Sequence, residues 1–165
     1  MNNGHIIYGF HTTPFGNCCI AIVDERVCYL SFIDDNDSAI AELANKWPHA
    51  RLQEDHEYSK LLVDHIFSRT VITKSPKFVL HGTEFQQQVW QKLCEIPVGQ
   101  TRSYEQVAQM LGKPTAVRAV ANAIAKNHIA YLIPCHRVIR ASGLLGGYRW
   151  GISRKKAMLQ HEMQG

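Results

Sequence analysis

The sequence predicts an α+β protein in which a small antiparallel sheet with helices comes first and a mostly helical part follows. Three observations predict it. Apolar and β-branched runs fill residues 5 to 32, helical periodicity takes over after Ser38, and a polar segment ending near Pro76 separates the two parts. The expected division is 1–76 and 77–165.

In the first part, Ile6-Ile7-Tyr8, Cys18 to Val23 and Val27 to Phe32 read as strands, with a polar turn at Asp24-Glu25-Arg26 that makes an antiparallel hairpin. Ser38 is expected to cap a helix running to about Lys46. A second helical pattern near Tyr58 to Phe67 carries Leu61, Leu62, His65 and Ile66. Val71 to Lys77 reads as a connection.

The second part opens with a helix from about Glu84 to Cys94, whose Phe85, Val89 and Leu93 form one apolar stripe. Pro97 and Gly99 end it. Ser103-Tyr104-Glu105-Gln106 matches a capping box and starts a helix that carries Val107, Ala108 and Leu111 inward and stops at Gly112. Thr115 is expected to cap a third helix with Val117, Val120, Ala121 and Ile124 buried. Thr115, Ala119, Asn122, Ala123 and Lys126 then face outward, with Arg118 on the flank. Two helices across a short turn, with small residues on the outer face, suggest a helix-turn-helix.

Composition narrows the function classes. The 165 residues carry a net charge of +4 and a pI near 8.8, compatible with a polyanionic partner. Acidic residues such as Asp34, Asp35, Asp37, Glu54, Asp55 and Glu57 collect early, whereas Glu105 is the sole acid between Gln100 and Lys156. A nucleic-acid surface is expected there. No apolar window approaches the roughly 18 residues of a membrane span, and Met1 to His5 shows no secretory pattern, so no membrane partner and a cytoplasmic location are expected. Cys18, Cys19, Cys28, Cys94 and Cys135 are odd in number and lack a CxxC pair, which gives no sign of disulfides, and no metal is expected.

The run Ile133-Pro134-Cys135-His136-Arg137-Val138 places a thiol beside a candidate base, behind a stiff proline. On an extended backbone the two side chains would point apart, so His136 is expected to reach Cys135 through a bridging water. These residues alone leave a thiol hydrolase open, and the helical pair leaves open a DNA-binding sensor that performs no chemistry.

Several motifs in the second part, taken together, resemble the methylated-DNA-protein-cysteine methyltransferases, which repair 6-O-alkylguanine. They are Gly82 to Gln86 with Val89-Trp90, Ile96 to Gly99, Ser103-Tyr104, Arg118 to Val120, Asn127, Ile133 to Val138 and Gly147-Tyr148. The first part fits more loosely, through Thr13 to Gly16. The resemblance implies a ribonuclease-H-like N-terminal domain and a winged-helix-like C-terminal domain with a helix-turn-helix. It implies single-turnover transfer of a methyl group from 6-O-methylguanine, and 4-O-methylthymine, in double-stranded DNA to Cys135 after nucleotide flipping.

Residue by residue, the resemblance makes Cys135 the nucleophile and acceptor, His136 the base acting through water, and Glu162 its orienting acid. Tyr104 becomes the hydrogen-bond donor to the base, Asn127 a hinge expected in the left-handed conformation, and Arg118 the residue filling the vacated stack. Thr115, Ala119, Asn122 and Lys126 would meet DNA. Ile124, Val138, Tyr148, Arg149 and Trp150 would line the pocket. Arg149-Trp150 stand where many members have a small pair, which predicts a narrower pocket that takes methyl well and benzyl poorly. No cofactor is implied, and a stand-alone monomer is expected. The presence of Cys135 argues against the sensor.

Overall fold

The computed structural model describes residues 4–68 and 76–164 and divides the chain into two compact units, Met1–Leu80 and His81–Gly165. Most of the expected connection, Val71 to Lys77, lies outside the described residues. The division falls beyond 76 because Lys77 to Val79 bind back to a strand of the first unit. Val27 N donates to Lys77 O at 2.9 Å and Val79 N to Val27 O at 2.9 Å.

In the first unit, β1 (His5–Thr13), β2 (Gly16–Val23) and β3 (Arg26–Phe32) form an antiparallel meander. Asp24 and Glu25 both take positive φ, 47° and 62°, the paired left-handed geometry that suits a two-residue hairpin turn. The sequence does not announce β4 (Arg51–Glu54), which pairs parallel to β1 and gives the order β3-β2-β1-β4. Helix α1 (Asn36–Lys46) is capped by Asp35 and not by Ser38, because the Asp35 carboxylate accepts from the amides of both Asp37 and Ser38. Asp55 caps α2 (His56–Ile66) by accepting from Tyr58 N. Ile6, Cys19, Ala21, Tyr29, Ala39 and Leu43 pack the core of this unit. Burial pushes the Cys18 and Cys28 thiols up to about 12, which makes them packing groups without reactivity.

The second unit is mostly helical, completing an α+β chain. Helix α3 (Glu84–Leu93) starts at a full capping box between Thr83 and Gln86 and buries Val89, Trp90 and Leu93, leaving Phe85 half-buried. Strand β5 (Arg102–Ser103) leads into α4 (Tyr104–Met110) through the capping box of Ser103 and Gln106, and Gly112 follows with φ 70°.

Helix α5 (Val117–Ala125) departs from expectation at its ends and on one face. Its N-cap is Ala116, without a side-chain cap, because the turn closed by Ala116 N donating to Lys113 O leaves Thr115 exposed one residue early. Ala123 is buried and not outward, since its carbonyl accepts the Trp90 indole N–H at 2.9 Å where α3 packs on α5. Asn127 is not left-handed. It is fully buried beyond the C-cap Lys126, held by its own side-chain hydrogen bonds.

Two short pieces position the site. Strand β6 (Val138–Ile139) pairs parallel with β5, so the residue after β5, Tyr104, and the turn before β6, Cys135–Arg137, are tied to one ladder. Helix α6 (Ile152–Gln164) then buries Lys155, Met158 and Glu162, which share one helical face at i, i+3 and i+7.

Candidate active site

Cys135 begins a 3-10 turn, not an extended segment. Pro134, at φ −81° and ψ 61°, lets Cys135 N donate to Ile133 O at 2.8 Å, and Arg137 N then donates to Pro134 O at 3.0 Å. That turn replaces the expected extended segment and buries both Cys135 and His136. Asn127 Nδ2 lies 3.2 Å from the Cys135 sulfur and 3.1 Å from Ile133 O, while its Oδ1 accepts from Ile129 N at 3.0 Å. Burial pushes the Cys135 thiol up to about 11, against the Asn127 hydrogen bond and the charges of Lys155 and Arg149. At neutral pH the resting group is a thiol. Its proton must leave as it reacts.

A proton acceptor sits next to it. His136 Nε2 is 2.7 Å from Glu162 Oε1, and Arg137 binds the same carboxylate through Nε at 3.0 Å and Nη2 at 2.8 Å. Arg137 Nη1 also donates to Ile96 O at 2.6 Å, which fixes the fork. Burial works against a charged Glu162, but the hydrogen bonds from His136 and Arg137 outweigh it and hold the carboxyl at about 2. Burial lowers His136 below its ordinary value, with the Glu162 hydrogen bond opposing. A neutral imidazole beside an ionised carboxylate presents Nε2–H to it, so Nδ1 is the bare acceptor. Nδ1 is buried with no protein partner among the described residues.

Cys135 lies on the wall of a cavity of about 240 Å³ lined by Tyr104, Ala121, Ile124, Ala125, Gly147, Tyr148 and Arg149. Burial raises the Tyr104 hydroxyl, as does nearby Cys135, so it remains a donor facing the same space as the sulfur. Alanine, isoleucine and the two tyrosines supply most of the rest of the wall, beside Arg149, a lining suited to an aromatic heterocycle. Among the described residues, no three of His, Cys, Asp and Glu converge as metal ligands, and no helix is long and apolar enough to cross a membrane.

Comparison with known proteins decides the family. The family described as "6-O-methylguanine DNA methyltransferase, DNA binding domain" matches residues 84–164. The crystal structure of Mycobacterium tuberculosis O6-methylguanine methyltransferase superposes with a TM-score of 0.78 at 33% identity, covering 96% of this chain and 93% of that one. The chain belongs to the methylated-DNA-protein-cysteine methyltransferase family. A second Mycobacterium tuberculosis structure, its OGT in complex with DNA, matches with a TM-score of 0.77 and 33% identity over 97% of this chain and 93% of that one. The regulatory protein ada of Salmonella typhimurium is 42% identical over 99% of this chain and 47% of its own length. The chain spans about half the length of the curated relatives it matches first.

With this methyltransferase family in view, the predicted residues fall into two groups. Cys135, His136, Glu162, Asn127, Tyr104, Ile124, Tyr148 and Arg149 converge on the cavity or the cluster behind it. Val138 and Trp150 stand outside the cavity wall. Val138 is taken into β6, where its carbonyl accepts from Lys155. Trp150 packs against the Tyr148 ring at 5.4 Å and lies 5.3 Å beneath the Arg149 guanidinium, so it supports the wall from behind. Arg118, Ala119, Asn122 and Lys126 are exposed on or just beyond α5, and Thr115 is exposed ahead of it. The same helix supplies Ala121, Ile124 and Ala125 to the cavity.

Lys155 escaped the sequence reading. It looks like one of three solvated bases, Arg154 to Lys156, yet it is fully buried and donates to the carbonyls of Val138, Leu145 and Gly147. Burial lowers it to about 8, with a Cys135 thiolate pulling the other way. Its i, i+3, i+7 spacing with Met158 and Glu162 was the available signal. Arg137 escaped too, although its place two residues after Cys135 is the beginning of the Glu162 clamp.

Proposed function

We propose that this family member repairs DNA by direct reversal, moving the methyl group of 6-O-methylguanine, and of 4-O-methylthymine, from double-stranded DNA to Cys135 in one irreversible event. The observation that carries it is Cys135 on the wall of a largely apolar cavity that Tyr104 also lines, followed in the chain by a buried His136 hydrogen-bonded to Glu162.

The thiol proton passes to His136 Nδ1 through a water, and Glu162 stabilises the imidazolium that forms. The sulfur attacks the methyl carbon in line, a C–S bond forms and the C–O bond breaks with its electron pair going to the base oxygen. Tyr104 hydrogen-bonds the charge that develops there, and the proton first taken from the thiol ends on the released guanine. Asn127, Lys155 and Arg149 stabilise the sulfur as an anion in a site where burial opposes it. The product is S-methylcysteine, a thioether without an acidic proton or an easy hydrolysis, so one chain acts once.

A base inside a duplex cannot reach a cysteine that is only 4% exposed, so the nucleotide is extruded at a cost of a few kcal/mol. Helix α5 supports that step, since it carries exposed Arg118 at one end and the cavity wall along its length. Helices α4 and α5 act as the helix-turn-helix, with Arg118 filling the vacated stack and Thr115, Ala119, Asn122 and Lys126 against the DNA backbone. The protein works as a monomer, and the free, buried thiols of its first unit suit the reducing cytoplasm.

The test is incubation with a duplex containing 6-O-methylguanine, followed by peptide mass analysis. One equivalent repaired and one CH2 added to the Cys135 peptide is the expected result. Repair continuing past one equivalent would point to a hydrolase and defeat the proposal.

A further inference from the structure

Tyr131 is the one non-glycine residue of positive φ among the described residues of the second unit, at 69°. The sequence around it offers no glycine or asparagine where the backbone would favour one. Leu132 N donates to Ala130 O at 2.7 Å across it, which closes a three-residue γ-turn in its rare, strained form. Strain of this kind persists where the surroundings over-determine the residue, and here they do so through its ring. The Tyr131 ring lies parallel to the His136 imidazole, with an interplanar angle of 9° and centroids 6.1 Å apart. The left-handed backbone is what turns the ring back over a residue five positions on.

We propose that Tyr131 is a positioning residue for methyl transfer, its ring lying parallel to the His136 imidazole and fixing the orientation in which Nε2 meets Glu162, while the Nδ1 edge stays open to the bridging water. It rests on the role given above to His136 as proton acceptor. Nε2 is tethered by Glu162, but one hydrogen bond leaves the imidazole free to rock about it, and Nδ1 has no protein partner among the described residues to stop it. A flat, half-buried ring laid parallel removes that freedom.

The groups facing His136 come from several elements. Glu162 and Lys155 reach it from α6 and Arg137 from its own turn. Tyr148 acts on Cys135 and Glu162, and Cys94 at the end of α3 faces Arg137. None of these lies parallel to the ring as Tyr131 does. Burial is the main influence lowering His136, so uncovering it moves its titration upward.

Tyr131→Gly separates the parts of the claim, because glycine relieves the backbone at φ 69° while removing the ring. The full chain carrying it is expected to resist urea as well as the parent. It is expected to transfer methyl on the order of tenfold more slowly. The acid limb of its pH–rate profile should move up by about half a unit, as should the His136 titration followed by NMR of labelled histidine. Tyr131→Phe, which keeps the ring, should restore all three. A glycine variant with the parent's rate, limb and His136 titration overturns the proposal. If the titration moves while the parent's rate shows no limb at the His136 pKa, the proton-acceptor role of His136 fails, and Tyr131's part in transfer falls with it.

Discussion

The side-chain nitrogen of Asn127 stands 3.2 Å from the sulfur of Cys135, and the backbone carbonyl of the same Asn127 accepts from Arg149 Nη1 at 2.8 Å. One buried residue thus links the nucleophile to the cavity wall. It also holds the backbone of Ile129 and Ile133, so it shapes the loop that delivers the sulfur.

Asn127→Ala removes the side-chain bonds and leaves the Ile129 amide without its acceptor in a dry interior, while Ile133 O keeps the Cys135 amide. A buried polar group left unsatisfied costs about 1–3 kcal/mol, and the variant should lose that much in urea unfolding. The thiol also loses the hydrogen bond that favours its anion. Single-turnover transfer should therefore slow by on the order of tenfold or more even at temperatures where the variant is fully folded. A variant that is destabilised but transfers at the parent's rate would confine Asn127 to the fold.

Glu162→Gln tests the acid behind the base, and pH supplies the sign. The Glu162 carboxyl is held at about 2 against an ordinary 4.5, so its contribution is fully present above pH 4.5 and is lost as pH falls toward 2. By linkage that contribution is on the order of 3 kcal/mol. The parent should lose stability steeply across that window, and Glu162→Gln, with no charge to titrate, should be less stable at pH 7 and change less below pH 4.5. Equal acid slopes for parent and variant in denaturant titrations would show that the carboxylate is not stabilised by His136 and Arg137.

The helix caps show how far local sequence reaches. Ser103 was legible because its partner Gln106 is three residues away, whereas Thr115 misled because the turn that Ala116 N closes on Lys113 O moves the N-cap to Ala116. Ser103→Ala should cost about 1 kcal/mol and Thr115→Ala less than about 0.5 kcal/mol by urea unfolding. The same division runs through the rest of the molecule. The hairpin strands, the helices and the Pro134-Cys135-His136 run follow from neighbours in sequence. The parallel partner β4, the burial of Ala123 under Trp90 and the burial of Lys155 depend on what packs from far along the chain. The 3-10 turn at Cys135 was missed because periodicity is silent on a three-residue element.

Arg118 is exposed at the start of α5, three residues before Ala121 and seven before Ala125, both of which line the cavity. If it holds the duplex open, Arg118→Ala should slow repair of 6-O-methylguanine in duplex DNA by on the order of tenfold while leaving stability within about 0.5 kcal/mol. Transfer from the free base, which needs no extrusion, should be unchanged. Equal losses on duplex and free base would place Arg118 in the chemistry instead.

Arg149 lines the cavity beside Tyr148. Its guanidinium is pinned on one side by Asn127 O and backed on the other by the Trp150 ring, so it cannot swing aside for a bulky substituent without giving up both contacts. Methyl fits within that space. If a benzyl group must displace the arginine, it loses a part-buried hydrogen bond and a cation–π contact that together are worth about 1–2 kcal/mol, on the order of tenfold in rate. Arg149→Ser removes the obstruction along with one of the charges that favour the sulfur anion. It should therefore raise the rate with 6-O-benzylguanine by on the order of tenfold while lowering that with 6-O-methylguanine modestly. Competition between the two compounds for Cys135, read by mass, measures the ratio directly. A ratio that does not move toward benzyl would show that some other wall of the cavity, Tyr148 first among them, limits the substrate.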